Sequence, residues 1–205
     1  LAAFTSVSDT QTHMTDASGI LSIDTATSTT SSYAKFTMPY VSSYPKYMTL
    51  IARVTGNTNA YKASDLEIAL SPDASTVGLR VKTIISTATS TGVQVEKYDG
   101  TTSVADKSDT SGSHVYQIAV TLASATTGSF AVYVDGSATP TLTQSNVTLR
   151  AAGTAGDNYI GFGANSSSNI YQSKIDWIVW TTAGAFTPAQ ALGTLPSGLG
   201  TTTGY

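Results

Sequence analysis

Runs of five to nine residues in which apolar and polar side chains alternate, cut apart by Gly, Ser, Asp and Asn clusters, leave this chain one kind of fold. An alternation of period two buries one face of a strand and wets the other, and no stretch of comparable length carries the 3.6-residue period of a helix. About eleven strands are predicted, the clearest over Ile20–Ala26, Tyr33–Met38, Lys46–Val54, Leu66–Leu70, Gly78–Ser86, Gly92–Tyr98, His114–Leu122, Ser129–Val134, Tyr159–Gly163 and Lys174–Thr181. Asp99-Gly100 and Asp135-Gly136 tolerate positive φ and are expected to close tight hairpins. One short helix is expected over Thr187–Leu192, with Thr187 as N-cap, Pro188 at the first helical position and Gly193 as the stop. No internal repeat or Pro/Gly-rich linker divides the sequence, so residues 1–205 are read as one all-β domain.

Composition narrows the function classes. Only 11% of the residues are charged, whereas 35 are Thr and 27 Ser, so hydroxyls must cover much of the surface. Ten Lys and Arg against thirteen Asp and Glu give a net charge of −3, which argues against the basic patch that nucleic acid requires. No window approaches eighteen consecutive apolar residues, so membrane insertion is not expected. The absence of Cys removes disulfides, thiolate metal sites and Cys nucleophiles together. With Leu1 as its first residue and no signal-like segment, the chain reads as the mature or excised product of a secreted or cell-surface protein.

Alternation also assigns faces. His114, Tyr116, Ile118, Val120 and Leu122 form one core-facing set, and Phe130, Val132 and Val134 another. The same logic turns Arg53, Arg80, Lys82, Gln117 and Tyr133 away from the core. If their sheets coincide, these five share one solvent-exposed face.

From His114 onward the sequence resembles the concanavalin A-like lectin and glucanase superfamily, particularly laminin-G-like domains and jelly-roll polysaccharide lyases. The resemblance is carried by His114-Val115-Tyr116-Gln117-Ile118, Tyr133-Val134-Asp135-Gly136, Tyr159-Ile160-Gly161-Phe162-Gly163 and Ile175-Asp176-Trp177-Ile178-Val179-Trp180, in that order, over roughly residues 110–190. It implies a jelly-roll β-sandwich of two curved antiparallel sheets, with ligand on the concave sheet or at a loop edge. It also implies a structural Ca²⁺ held in part by an Asp on the last strand, a place that Asp176 matches. Asp157-Asn158 and Asp106 with Asp109 are the loop alternatives.

The only two Glu, Glu67 and Glu96, fall on separate strands and are expected to be solvated, which excludes the paired-carboxylate run of the resembling glucanases. Elimination from a uronic acid needs a cation or amide to neutralise the carboxylate and a Tyr or His to move protons, and the Arg53, Arg80, Lys82, Gln117 and Tyr133 set supplies those types. The lyase signature runs are nevertheless absent: Gln117-Ile118-Ala119 keeps a Gln and lacks the His. His114 is expected to be a structural residue at a strand start, and His13 has no partner at metal-ligand spacing. Tyr40, Tyr44, Tyr47 and Tyr61, around Pro39 and Pro45, suit a sugar-stacking edge. Trp177 is expected in the core and Trp180 outside.

The expected function is therefore extracellular recognition of a polysaccharide or other glycan, with Arg53, Arg80, Lys82, Gln117, Tyr133, Tyr44 and Tyr61 as binding residues. A lyase acting on a uronic-acid polymer is the first alternative. A self-assembling extracellular subunit, pairing through exposed strand edges, is the second.

Overall fold

The computed structural model describes residues 6–9, 12–26, 31–40, 43–56, 62–73, 78–86, 93–97, 103–105, 112–149, 158–164 and 170–188. Fourteen strands account for nearly all of them: β1 (Ser6–Ser8), β2 (Met14–Ala17), β3 (Ile20–Asp24), β4 (Ser32–Thr37), β5 (Lys46–Gly56), β6 (Lys62–Leu70), β7 (Leu79–Ser86), β8 (Val93–Lys97), β9 (Ser103–Ala105), β10 (Gly112–Leu122), β11 (Thr127–Val134), β12 (Leu142–Thr148), β13 (Tyr159–Ala164) and β14 (Gln172–Thr181). All ten clearly predicted strands are present, and β1, β2, β9 and β12 are added to them. The expected Thr187–Leu192 helix lies outside the described residues beyond Pro188, and so does Asp99-Gly100.

The strands form two seven-stranded antiparallel sheets, the first in the order β1-β4-β13-β6-β7-β8-β9 and the second β12-β11-β10-β5-β14-β3-β2. This is the all-β fold expected from the alternation, in the jelly-roll sandwich form that the resemblance implied. Between the sheets lies one core, to which β5 gives Met48, Leu50, Ala52 and Val54, β10 gives Tyr116, Ile118, Val120 and Leu122, β6 gives Leu66, Ile68 and Leu70, and β13 gives Ile160 and Phe162. Each Val, Leu, Ile, Phe or Met among them, taken fully from water, stabilises the sandwich by roughly 1.5–3 kcal/mol before the cost of ordering the chain. Among the described residues no helix is long and apolar enough to cross a membrane.

Two local features depart from simple alternation. In β14 the register against β5 shifts between Ile175 and Trp177, so Asp176 is an extra residue. A bulge of one residue reverses every later side chain. Ile175, Ile178 and Trp180 therefore enter the core, and Trp177 and Val179 lie outside, the reverse of the expectation for the two Trp. At Asp135-Gly136 the positive φ values of 53° and 72° appear as predicted, and Ser137 N–H donates to Val134 C=O at 3.1 Å. The connection is longer than a tight hairpin, because β12 does not begin until Leu142. The two-residue hairpin lies instead at Ser18-Gly19, φ 57° and 77°, between β2 and β3.

Candidate functional site

The five residues expected on one face are divided between the sheets. Arg53 on β5, Gln117 on β10 and Tyr133 on β11 belong to the second sheet, whereas Arg80 and Lys82 lie on β7 in the first. Alternation tells which side of a strand a residue occupies and carries nothing about which sheet the strand joins.

On the second sheet the face expected to be open to solvent is covered in part by the chain itself. The segment after β14 returns across the outer face: Thr49 Oγ1 donates to Gly184 C=O at 2.8 Å and accepts from Phe186 N–H at 3.1 Å, and Gln117 Nε2 donates to Phe186 C=O at 2.7 Å. Gln117 and its cross-strand partner Tyr133 are both buried. Arg53 stays exposed, donates to Ser113 Oγ at 3.0 Å, and stands 3.3 Å from Asp176 Oδ2. Calcium takes ~6–8 oxygen ligands and is repelled by a neighbouring guanidinium. With Arg53 beside Asp176, and no group of three or more His, Cys, Asp or Glu among the described residues, this donor set does not fit the Ca²⁺ that the resemblance implied. Asp106, Asp109 and Asp157 lie outside the described residues, as does Tyr61, and Asn158 gives its Nδ2 to Pro39 C=O at 2.8 Å.

The first sheet carries a denser assembly on its outer face. The registers align Lys35 on β4, Gly161 on β13, Glu67 on β6, Lys82 on β7 and Glu96 on β8 as one lateral row. The next rows hold Tyr33 opposite Gly163 and Asp65, and Tyr159 opposite Ala69 and Arg80. Glu67, expected in solvent, is 0% exposed, under Tyr33 and Tyr159 at 5% and 2%. Its carboxylate is satisfied: Tyr33 Oη donates to Oε2 at 2.5 Å, Tyr159 Oη to Oε1 at 2.6 Å, and Arg80 Nε bonds and ion-pairs with Oε1. Asp65, equally buried, accepts from Tyr171 Oη at 2.9 Å.

Three physical consequences follow. The buried carboxylate is tolerated because a cation and two hydroxyls replace its water, and removal of any one of them leaves polar atoms buried. Burial, reinforced by neighbouring Tyr159 and Asp65 and only partly opposed by Arg80, pushes the Tyr33 hydroxyl well above the usual phenol range, so it stays protonated as a donor. Lys35 Nζ stands 4.2 Å from the Tyr159 ring centroid and 5.9 Å from that of Tyr33, so it caps the same cluster. Lys35, Arg80 and Lys82 remain partly exposed, whereas Glu67 and Asp65 do not. The glycines of β13 make the cluster possible. A Cβ on Gly161 would stand 2.2 Å from Tyr33 Oη, in space that the Tyr33 ring fills.

Sequence reasoning missed Tyr33, Lys35, Glu67 and Tyr159. A usable signal existed: on β6, Asp65 and Glu67 alternate with Leu66, Ile68 and Leu70, and on β13 Tyr159, Gly161 and Gly163 share the face opposite Ile160 and Phe162. Small residues in the middle of a strand open room for a large neighbour across it. His114 ties the start of β10 to the turn after β11: its Nδ1 lies 2.6 Å from Asp135 Oδ2, and Asp135 Oδ1 accepts from Val115 N–H at 2.9 Å.

Compared by sequence, the chain matches no family model and no curated protein. By three-dimensional comparison it is similar to the endo-beta-1,4-glucuronan lyase from the fungus Trichoderma reesei, at 13% identity and TM-score 0.58, over 93% of this chain and 96% of that one. It is also similar to Trypanosoma rangeli sialidase, at 15% identity and TM-score 0.54, over 87% of this chain and 27% of that one. The chain thus spans about a quarter of the sialidase and nearly the full length of the lyase. At these identities the likeness establishes the fold, a two-sheet β-sandwich of the jelly-roll kind, and nothing finer.

Proposed function

We propose that this chain is an extracellular carbohydrate-recognition domain of the concanavalin A-like kind that holds an acidic polysaccharide against the outer face of its first sheet. The observation that carries this reading is the vertical arrangement of charge on that face. Lys35, Arg80 and Lys82 reach the surface, while the carboxylates of Glu67 and Asp65 are sunk beneath them and bonded. A glycan carboxylate approaching from solvent meets the cations first. The structural likeness to an endo-beta-1,4-glucuronan lyase supports the same class of ligand.

A lyase with this face is the second reading, favoured by the proximity of two Tyr hydroxyls to Arg80 and by that same likeness. Recognition is the better account, because a Tyr that abstracts a proton needs a lowered pKa, and Tyr33 has a raised one and already donates to Glu67. One experiment addresses both readings. On an affinity gel containing polyglucuronate the protein is expected to migrate slowly, to regain mobility as salt is added, and to ignore a neutral glucan. Incubation with the same polymer is expected to yield no absorbance from unsaturated chain ends. Equal mobility on all gels would defeat the recognition reading, and growing absorbance would replace binding by elimination.

A further inference from the structure

At one end of the sandwich, between the β4–β5 connection and the end of β6, lies a cleft of about 300 Å³ lined by Pro39, Ser43, Pro45, Lys46, Tyr47, Met48, Leu70, Asn158 and Thr182. We infer that this cleft is a second binding site, for a single neutral sugar ring, separate from the acidic-glycan face and independent of that reading.

Four observations converge on that ligand class. The volume lies at the small end of the range for small-molecule sites, which suits one ring. Pro39, Pro45, Met48 and Leu70 give apolar walls, and Ser43, Tyr47 and Thr182 bring hydroxyls, the mixture that a ring with C–H faces and peripheral hydroxyls requires. Tyr40 and Tyr44, 40% and 38% exposed, are the two large hydrophobic side chains that stand out in solvent among the described residues, and both belong to the connection that lines the cleft. Asn158 is 5% exposed, and its Nδ2 is given to the Pro39 carbonyl while its buried Oδ1 receives no hydrogen bond. A buried acceptor left in this state costs free energy that a hydroxyl donor would recover after a small side-chain adjustment.

Charge selects against an acidic ligand here. The Lys46 ammonium is the cation of the cleft, and it is already committed: it donates to the carbonyls of Ser71, at 3.4 Å, and Pro72, with the Tyr44 ring centroid 5.1 Å away. Asp73 acts electrostatically on both Lys46 and Tyr44. A carboxylated sugar would find no uncommitted cation among the described residues that line the cleft. Lys46 is therefore held by the chain itself.

The test uses saturation-transfer NMR on the whole chain with glucose, galactose, mannose and cellobiose as separate probes, and polyglucuronate as the acidic control. At least one neutral sugar is expected to show transfer. Tyr44→Ala, at an exposed position that leaves the melting temperature nearly unchanged, is expected to weaken that binding by about three- to ten-fold, the loss of one aromatic face contact. Lys35→Ala/Lys82→Ala is expected to leave it intact, which separates this site from the first-sheet face. No transfer from any neutral probe, or binding that Tyr44→Ala leaves unchanged, would overturn the inference.

Discussion

Gly161 shows how tightly single residues set the first-sheet site. With no side chain, it lets the Tyr33 ring lie across β13 and place its hydroxyl on Glu67. Gly161→Ala would put a methyl 2.2 Å from that hydroxyl, and a buried phenol with a fixed acceptor cannot swing aside without surrendering the bond. The expected loss in a urea titration is about 1–3 kcal/mol, from overpacking and from a buried carboxylate deprived of one donor. An unchanged midpoint would mean that Tyr33 does not occupy this space. Glu67 illustrates the complementary lesson. Its face could be read from the alternation, but its burial could not, because burial depends on Tyr33 and Tyr159, which arrive from strands 34 and 92 residues away in the chain.

At the scale of elements, the β10–β11–β12 sequence shows what short-range chemistry can specify. Asp135-Gly136 takes the left-handed backbone that Asp and Gly tolerate, and the Asp135 carboxylate ties this turn to the start of β10 through His114 and the Val115 amide. Partial burial raises its pKa, but the hydrogen bonds from His114 and Val115, together with the charge of His114, outweigh that and hold it below the usual carboxylate value. A carboxyl whose native pKa is depressed contributes stability that is present above its unfolded pKa and is lost as pH falls through the native one. Asp135→Asn keeps the turn conformation and removes the charge. The stability difference between the two proteins, from urea unfolding at a series of pH values, should be widest near neutrality and close in acid below ~pH 4. A difference constant with pH would show that the pair makes no electrostatic contribution.

The same scale shows where local reading stops. All ten clearly predicted strands were legible, because alternation and turn chemistry are properties of neighbouring residues. The bulge at Asp176 was not, since nothing in Ile175-Asp176-Trp177 announces an extra residue, and one missed insertion exchanged the places of Trp177 and Trp180. Short β1, β2, β9 and β12 lie at or next to sheet edges, where half of the pairing comes from one neighbour and the residue pattern is correspondingly weak.

Across the whole molecule, the distribution of strands between sheets decides which polar residues can cooperate. Arg80 and Lys82 keep a place in the candidate site, in the company of Lys35, whereas Arg53, Gln117 and Tyr133 belong to a face crossed by the Thr182–Pro188 segment. Sheet membership is fixed by contacts between strands far apart in sequence, so one chain read alone left the five residues together. Polyglucuronate retention of Lys35→Ala/Lys82→Ala, compared with that of Arg53→Ala, tests most directly which sheet holds the ligand. If the first sheet is the recognition face, the double variant should elute with the salt front while Arg53→Ala stays bound like the parent chain. Loss of retention in Arg53→Ala alone, with the double variant unaffected, would place the ligand on the other sheet and contradict the account.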